Sequence, residues 1–197
     1  MLSYIGKLFY LITPIILAGI FNMIFVQLPF LNSLKKPIDC GKVFSDGERI
    51  FGDNKTWKGF CGMIIITSFW LGMQGILYDN TTWAKDISLV SFSDFNFPFN
   101  TWFYGAIWGL GYVLFELPNS FVKRRLKIDI GKSGKGTLGY IFKFVDQADS
   151  VVGCIIFMLP FYRPSFIEAL LILVLGIAVH YVVNILLYIV GLKKQAG

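Results

Sequence analysis

Two aspartates three residues apart, Asp146 and Asp149 in the stretch KFVDQADSVVG, stand directly before the apolar run Val151 to Tyr162. On a helix that begins near Phe144 they share one face, with Ser150 one turn on from Asp146. Like charges this close in a medium of reduced dielectric repel each other, and a divalent cation relieves the repulsion. Oxygen ligands without a nearby histidine favour Mg²⁺, which is commonly held by one or two carboxylates plus substrate phosphates. The competing reading is a pair that caps a helix N-terminus, where the macrodipole favours negative charge.

A second constellation lies in FELPNSFVKRRLKIDIG. Glu116, Ser120, Lys123 and Lys127 recur at helical spacing, so a helix that tolerates Pro118 carries an acid, a hydroxyl and two amines as one stripe, with Arg124 and Arg125 beside it. A basic anchor at a membrane face accounts for the cations. It does not account for Glu116, an acid at the end of an apolar segment. The third is GDNKTWKGF at 52–60: Gly52-Asp53-Asn54 reads as a turn, and a turn before a helix start offers backbone N–H groups to an anion, with Lys55 and Lys58 adding charge. Trp57 there is suited to anchoring at the interface or to stacking on a base. The stretch IGKSGKGTLG at 130–139 has the wrong spacing for a P-loop in either register and reads as a flexible basic loop.

The elements that position these residues belong to a bilayer. With 55% hydrophobic and 15% charged residues in 197, and a mean hydropathy of +0.64, the chain has too little polar surface for a soluble globule. Apolar stretches near membrane-crossing length run from Leu8 to Leu31, Gly59 to Leu77, Thr101 to Leu117 and Phe166 to Gly191, and Val151 to Tyr162 joins them if its helix starts before the aspartates. The expectation is an all-α integral membrane bundle of about five transmembrane helices in a single domain, 1–197, with the first stretch kept as an anchor rather than cleaved. Lys35, Lys36, Lys42, Arg49, Lys55 and Lys58 in one loop, and Lys123 to Lys143 in another, place those loops and the Lys193-Lys194 tail inside and the N-terminus outside. The aromatic-rich stretch SFSDFNFPFNTWFYG reads as an outer interface belt. The net charge of +6 then sits on one face, where it attracts anionic membrane lipids, and no nucleic-acid partner is expected. Cys40, Cys61 and Cys154 read as free thiols, and His180 and Asn184, one turn apart, as packing or hydrogen-bonding residues of the last span.

The blocks GDNKTWKG, ELPNSFVKRRLKI and DQADS, in that order and on one membrane side, resemble the CTP:phospholipid cytidylyltransferase superfamily, and within it the CDP-archaeol synthase family with its bacterial relatives. The likeness in motifs covers about Gly41 to Gly153. It implies transfer of CMP from CTP to a lipid phosphate with release of pyrophosphate and dependence on Mg²⁺. It further implies a multi-pass protein of the cell membrane with its active site on the cytoplasmic side. Asp146 and Asp149 match the family's metal-binding acids, Lys123 and Arg124 its paired basic residues, and Asn54, Lys55, Thr56 and Trp57 its nucleotide-side block. Glu116 departs from the pattern, standing where an aspartate is expected four residues before the serine; its longer arm can still reach Mg²⁺. Ser120 and Lys127 are then expected at the substrate phosphate. An archaeal-type unsaturated ether lipid is favoured over phosphatidic acid, a homo-oligomer is left open, and a membrane transporter or lipid-binding protein is the rival class.

Overall fold

The computed structural model describes residues 2–95 and 100–191, with side chains from residue 4. Within them, six α-helices follow one another: α1 (Leu2–Gln27), α2 (Trp57–Asn80), the short α3 (Thr82–Ile87), α4 (Thr101–Arg125), α5 (Gly136–Phe157) and α6 (Phe166–Ile189). Their starts are written locally. Thr56 caps α2 by accepting the Gly59 N–H, and Asn100 caps α4 by accepting that of Phe103. Ser165 and Glu168 form a reciprocal capping box on α6. Three helices, α1, α2 and α6, are long and apolar enough to cross a membrane. The other two long helices, α4 and α5, are diluted by glycine, indole and phenol rings in one and by charged and amide side chains in the other.

The long helices close a ring: α1 packs on α2, α2 on α4, α4 on α5, α5 on α6, and α6 returns to α1. Glycines bring α4 against both neighbours. A Cβ at Gly109 would stand 2.8 Å from the Met63 carbonyl and 2.9 Å from Ile64 Cα, and one at Gly105 would stand 2.6 Å from Ser68 Cα. On the opposite face, a Cβ at Gly111 would lie 2.8 Å from the Gly153 carbonyl of α5. Without a hydrophobic drive between helices in lipid, such close backbone approach supplies dispersion contact. Side chains pin the approach, with Ser68 Oγ donating to the Trp102 carbonyl at 2.6 Å and Trp108 Nε1 to that of Cys154 at 3.0 Å.

Pro14 sits inside α1 and has no N–H for the carbonyl of Tyr10 one turn earlier. Gln74, buried on α2, donates to that carbonyl at 2.6 Å, so the acceptor freed by the proline is satisfied by a neighbouring helix.

Helix α5 begins at Gly136, two turns before the expected start near Phe144. The basic loop therefore ends at Lys135, and Asp146 and Asp149 lie in the middle of the helix. That position excludes the N-terminal capping reading of the pair. Both basic loops meet at one end of the ring. Arg125 donates to the Arg49 carbonyl at 2.6 Å, pairs with Asp46 at 2.6 Å, and lies 5.2 Å and 4.5 Å from the ring centroids of Phe44 and Phe121. At the opposite end Tyr4 and Tyr162 both donate to Glu168. The Lys193-Lys194 tail and residues 96–99 of the aromatic stretch lie outside the described residues.

The loop before α2 is folded around Asp39, a residue the sequence does not single out. Its carboxylate accepts the N–H groups of Gly41, Phe51 and Gly52 at 3.1, 2.9 and 3.0 Å and Arg49 at 2.6 Å. Burial alone would raise its pKa, but Arg49 and the three backbone donors hold it well below the usual carboxylate range. A depressed folded-state pKa contributes stability above the unfolded value of 3.8 and loses it as pH falls below that value.

Two outcomes are expected. Gln74→Leu should destabilise the protein by about 1–3 kcal/mol through the orphaned Tyr10 carbonyl, and much less on a Pro14→Ala background, where α1 supplies its own donor; thermal unfolding of the four proteins in detergent measures this. Asp39→Asn should flatten the loss of thermal stability as pH falls from about 5 to about 2 relative to the unsubstituted protein.

Candidate active site

The ring encloses a cavity of about 870 Å³ whose lining comes from α1, α2, α4, α5 and α6. One end is polar. There α4 contributes Glu116, Asn119, Ser120, Lys123 and Arg124, α5 contributes Asp146 and Asp149, and the turn before α2 contributes Asn54, Lys55 and Thr56. From that end an apolar corridor continues past Ile15, Met63, Met158, Ile172 and Leu187. Charge and grease share one space.

Four parts of the chain build the polar end. The Gly52–Lys55 turn closes with the Lys55 N–H donating to the Gly52 carbonyl at 3.2 Å, Gly52 adopting a φ of 111° that favours glycine. It delivers Lys55, whose ammonium pairs with Glu116 of α4. Burial works against that charge, but Glu116, followed by Asp149 and Asp146, holds the lysine pKa above its ordinary value. Lys123 grips both oxygens of Asp146 at 2.7 and 2.6 Å, and Ser133, from the loop before α5, donates to the same carboxylate at 3.0 Å. Asn119 bridges the acids, donating to Asp146 at 2.8 Å and to Asp149 at 2.7 Å. Asp149 also accepts the Ser150 N–H at 2.6 Å.

Of the stripe expected on α4, Glu116, Ser120 and Lys123 line the cavity. Lys127 does not: the helix stops at Arg125, and Lys127 lies beyond it at a φ of 54°. Lys58, expected to add charge to the turn, points the other way. It is fully buried and donates to the Leu28 carbonyl at 2.6 Å, beyond the C-terminus of α1, where the helix dipole favours a cation. Trp57 is 41% exposed, meets Phe60 edge-on and is absent from the lining. His180 and Asn184 both engage Gln147 of α5, Asn184 donating to its side chain at 2.8 Å and the His180 ring lying 3.3 Å from its carbonyl. They join α6 to α5, the interhelical role expected of them. Asn119 is the site residue that sequence reasoning passed over, although it lies between Glu116 and Lys123; its signal was a helical position one turn before Lys123.

Among the described residues, no three His, Cys, Asp or Glu side chains are grouped to hold a metal ion. Of the three acids expected to hold Mg²⁺, Asp146 and Asp149 share Asn119, and Glu116 pairs with Lys55. The donor chemistry nonetheless suits Mg²⁺. Two carboxylates lie together in a cavity open to phosphate ligands, and the carbonyl oxygen of Asn119 beside them is buried without a hydrogen-bond partner.

Trp57→Ala should leave the KM for a nucleotide bound in this cavity within about twofold, as for a surface substitution away from the site; steady-state kinetics check it.

The family described as CarS-like, CDP-archaeol synthase, matches residues 1–196. The CDP-archaeol synthase of Methanoculleus marisnigri is 34% identical over 80% of this chain and 87% of its own. That of Methanospirillum hungatei is 36% identical over 80% and 87%, and that of Pyrococcus furiosus 32% over 77% and 78%. A solved structure described as an intramembrane enzyme for archaeal membrane lipids biosynthesis superposes with a TM-score of 0.57 at 21% identity, covering 90% of this chain and 92% of that one, and so shares the fold. With a family match along essentially its whole length and relatives above 30% identity over most of it, this chain belongs to the CDP-archaeol synthase family.

Proposed function

We propose that this chain transfers CMP from CTP to a lipid phosphate of the archaeal ether type, forming a CDP-lipid and pyrophosphate. The observation that carries this reading is the single cavity in which the Asp146–Asp149 and Lys55–Lys123–Arg124 end opens into an apolar corridor. A nucleotide triphosphate needs the first part, and a prenyl chain the second. The names of the relatives supply the lipid class.

In this reading a lipid phosphate oxygen, already anionic at neutral pH, attacks the α-phosphorus of CTP. The new P–O bond forms as the bond to the β-phosphate breaks, and pyrophosphate leaves with the electron pair. No protein base is needed, which fits a site whose one nearby histidine, His180, is engaged with Gln147. Positioning and charge neutralisation are then the tasks left to the protein. Lys55, held by Glu116, reaches the phosphates from the turn before α2. Lys123 and Arg124 balance the charge on the departing pyrophosphate. Asp146 and Asp149 would hold Mg²⁺, which when bound supplies Lewis-acid polarisation of the phosphates. Ser120 faces the same space and suits a phosphate oxygen. We read the protein as crossing the cell membrane through its apolar helices, with the basic end, and so the site, on the cytoplasmic side and the N-terminus outside, the orientation that the positive-inside rule favours.

Pyrophosphate release by the purified protein with CTP and Mg²⁺ tests the reading. It should require digeranylgeranylglyceryl phosphate, with phosphatidic acid a poorer acceptor. Preference for phosphatidic acid would move the assignment to a diacylglycerol substrate, and release with neither lipid would remove it. Asp149→Asn should lower kcat on the order of 100-fold, the scale of losing one preorganised electrostatic group. Chelation of Mg²⁺ should abolish turnover.

A further inference from the structure

Asn119 is placed as no other side chain in the cavity. Its amide nitrogen donates one hydrogen bond to Asp146 at 2.8 Å and one to Asp149 at 2.7 Å, while its carbonyl oxygen is shielded from solvent and has no partner. An NH₂ group with its two protons shared between two carboxylates lies where a cation bridging them would lie. A cation there would collide with the amide protons. Rotation of the amide by half a turn, which leaves its shape nearly unchanged, replaces the donor with the oxygen that now lacks a partner. Mg²⁺ favours a carbonyl oxygen of this kind beside carboxylates.

We propose that Asn119 is a third protein ligand of the cation site, bridging the two aspartates through its N–H groups when the site is free and turning its oxygen to the metal when it is filled. The inference rests on the Mg²⁺ assignment of the proposed function. It gives the two aspartates a further oxygen donor that adds no charge. It also explains why one partner of both acids comes from α4. The residue links the helix that carries Lys123 to the helix that carries the carboxylates, so filling the site adjusts both together.

A purely structural bridge makes the opposite prediction. If Asn119 serves only to tie the carboxylates together, its removal takes one competing donor from each acid, and a cation should bind them at least as tightly as before. If it is a ligand, removal weakens binding. The experiment titrates Mn²⁺ into the full-length protein in detergent without CTP or lipid, reads the loss of the free-ion electron paramagnetic resonance signal, and displaces the bound ion with Mg²⁺. Asn119→Ala should weaken Mn²⁺ binding about tenfold or more, while Asn119→Asp, which keeps an oxygen at that reach, should bind at least as tightly as the unsubstituted protein. Unchanged or tighter binding by Asn119→Ala overturns the proposal, as does weaker binding by Asn119→Asp. Should Asn119→Ala fail to fold, Asn119→Ser replaces it with the same expected sign. Absence of Mn²⁺ binding in the unsubstituted protein overturns the proposal together with the Mg²⁺ assignment, and leaves cytidylyl transfer to be judged by pyrophosphate release alone.

Discussion

Half-buried carboxylates in the middle of a helix must be matched by donors, and in an apolar bundle those donors must come from other elements. Asp146 and Asp149 lie in the middle of α5, where no helix terminus serves them. Their partners come from α4, through Asn119 and Lys123, and from the loop before α5, through Ser133. This requirement accounts for much of the architecture at the basic end. Charges that are partly desolvated are costly when left unpaired, so the register of α4 against α5 has little freedom.

That register depends on backbone proximity. Gly111 and Gly153 let α4 and α5 touch, and Gly105 and Gly109 let α4 touch α2. Because α4 lies between these neighbours, it delivers the charged residues of its last turns to a fixed place. Trp108, buried and bonded to the Cys154 carbonyl, locks the same helix pair nearer the middle. The farther side of the ring is looser and more apolar. There α1 and α6 contribute mainly hydrocarbon to the corridor, a surface suited to an apolar chain.

The turn before α2 is held by a separate device. Asp39 organises the preceding loop, and Arg125 fastens that loop to the end of α4 through Arg49 and Asp46. The turn that carries Lys55 is therefore tied to the same helix that carries Lys123. Two cations that come from opposite ends of a long stretch of sequence are thereby held at one cavity.

Local patterning determined much of this protein. Apolar runs, caps such as Thr56 and Ser165, and the concentration of lysine and arginine in two loops are properties of neighbouring residues, so the helices, the bilayer and the basic end could all be read from the chain. The motif residues Asn54, Lys55, Glu116, Ser120, Lys123, Arg124, Asp146 and Asp149 could be read as well, and they line one cavity. Tertiary structure decided the pairings. Lys55 chose Glu116, Lys58 turned to the end of α1, Asn119 came between two acids, and Gln74 answered the carbonyl that Pro14 left open. It also extended α5 back to Gly136, through glycines whose intrinsic preference is for loop. These outcomes depend on distances between helices far apart in sequence, and no local period or composition carries that information.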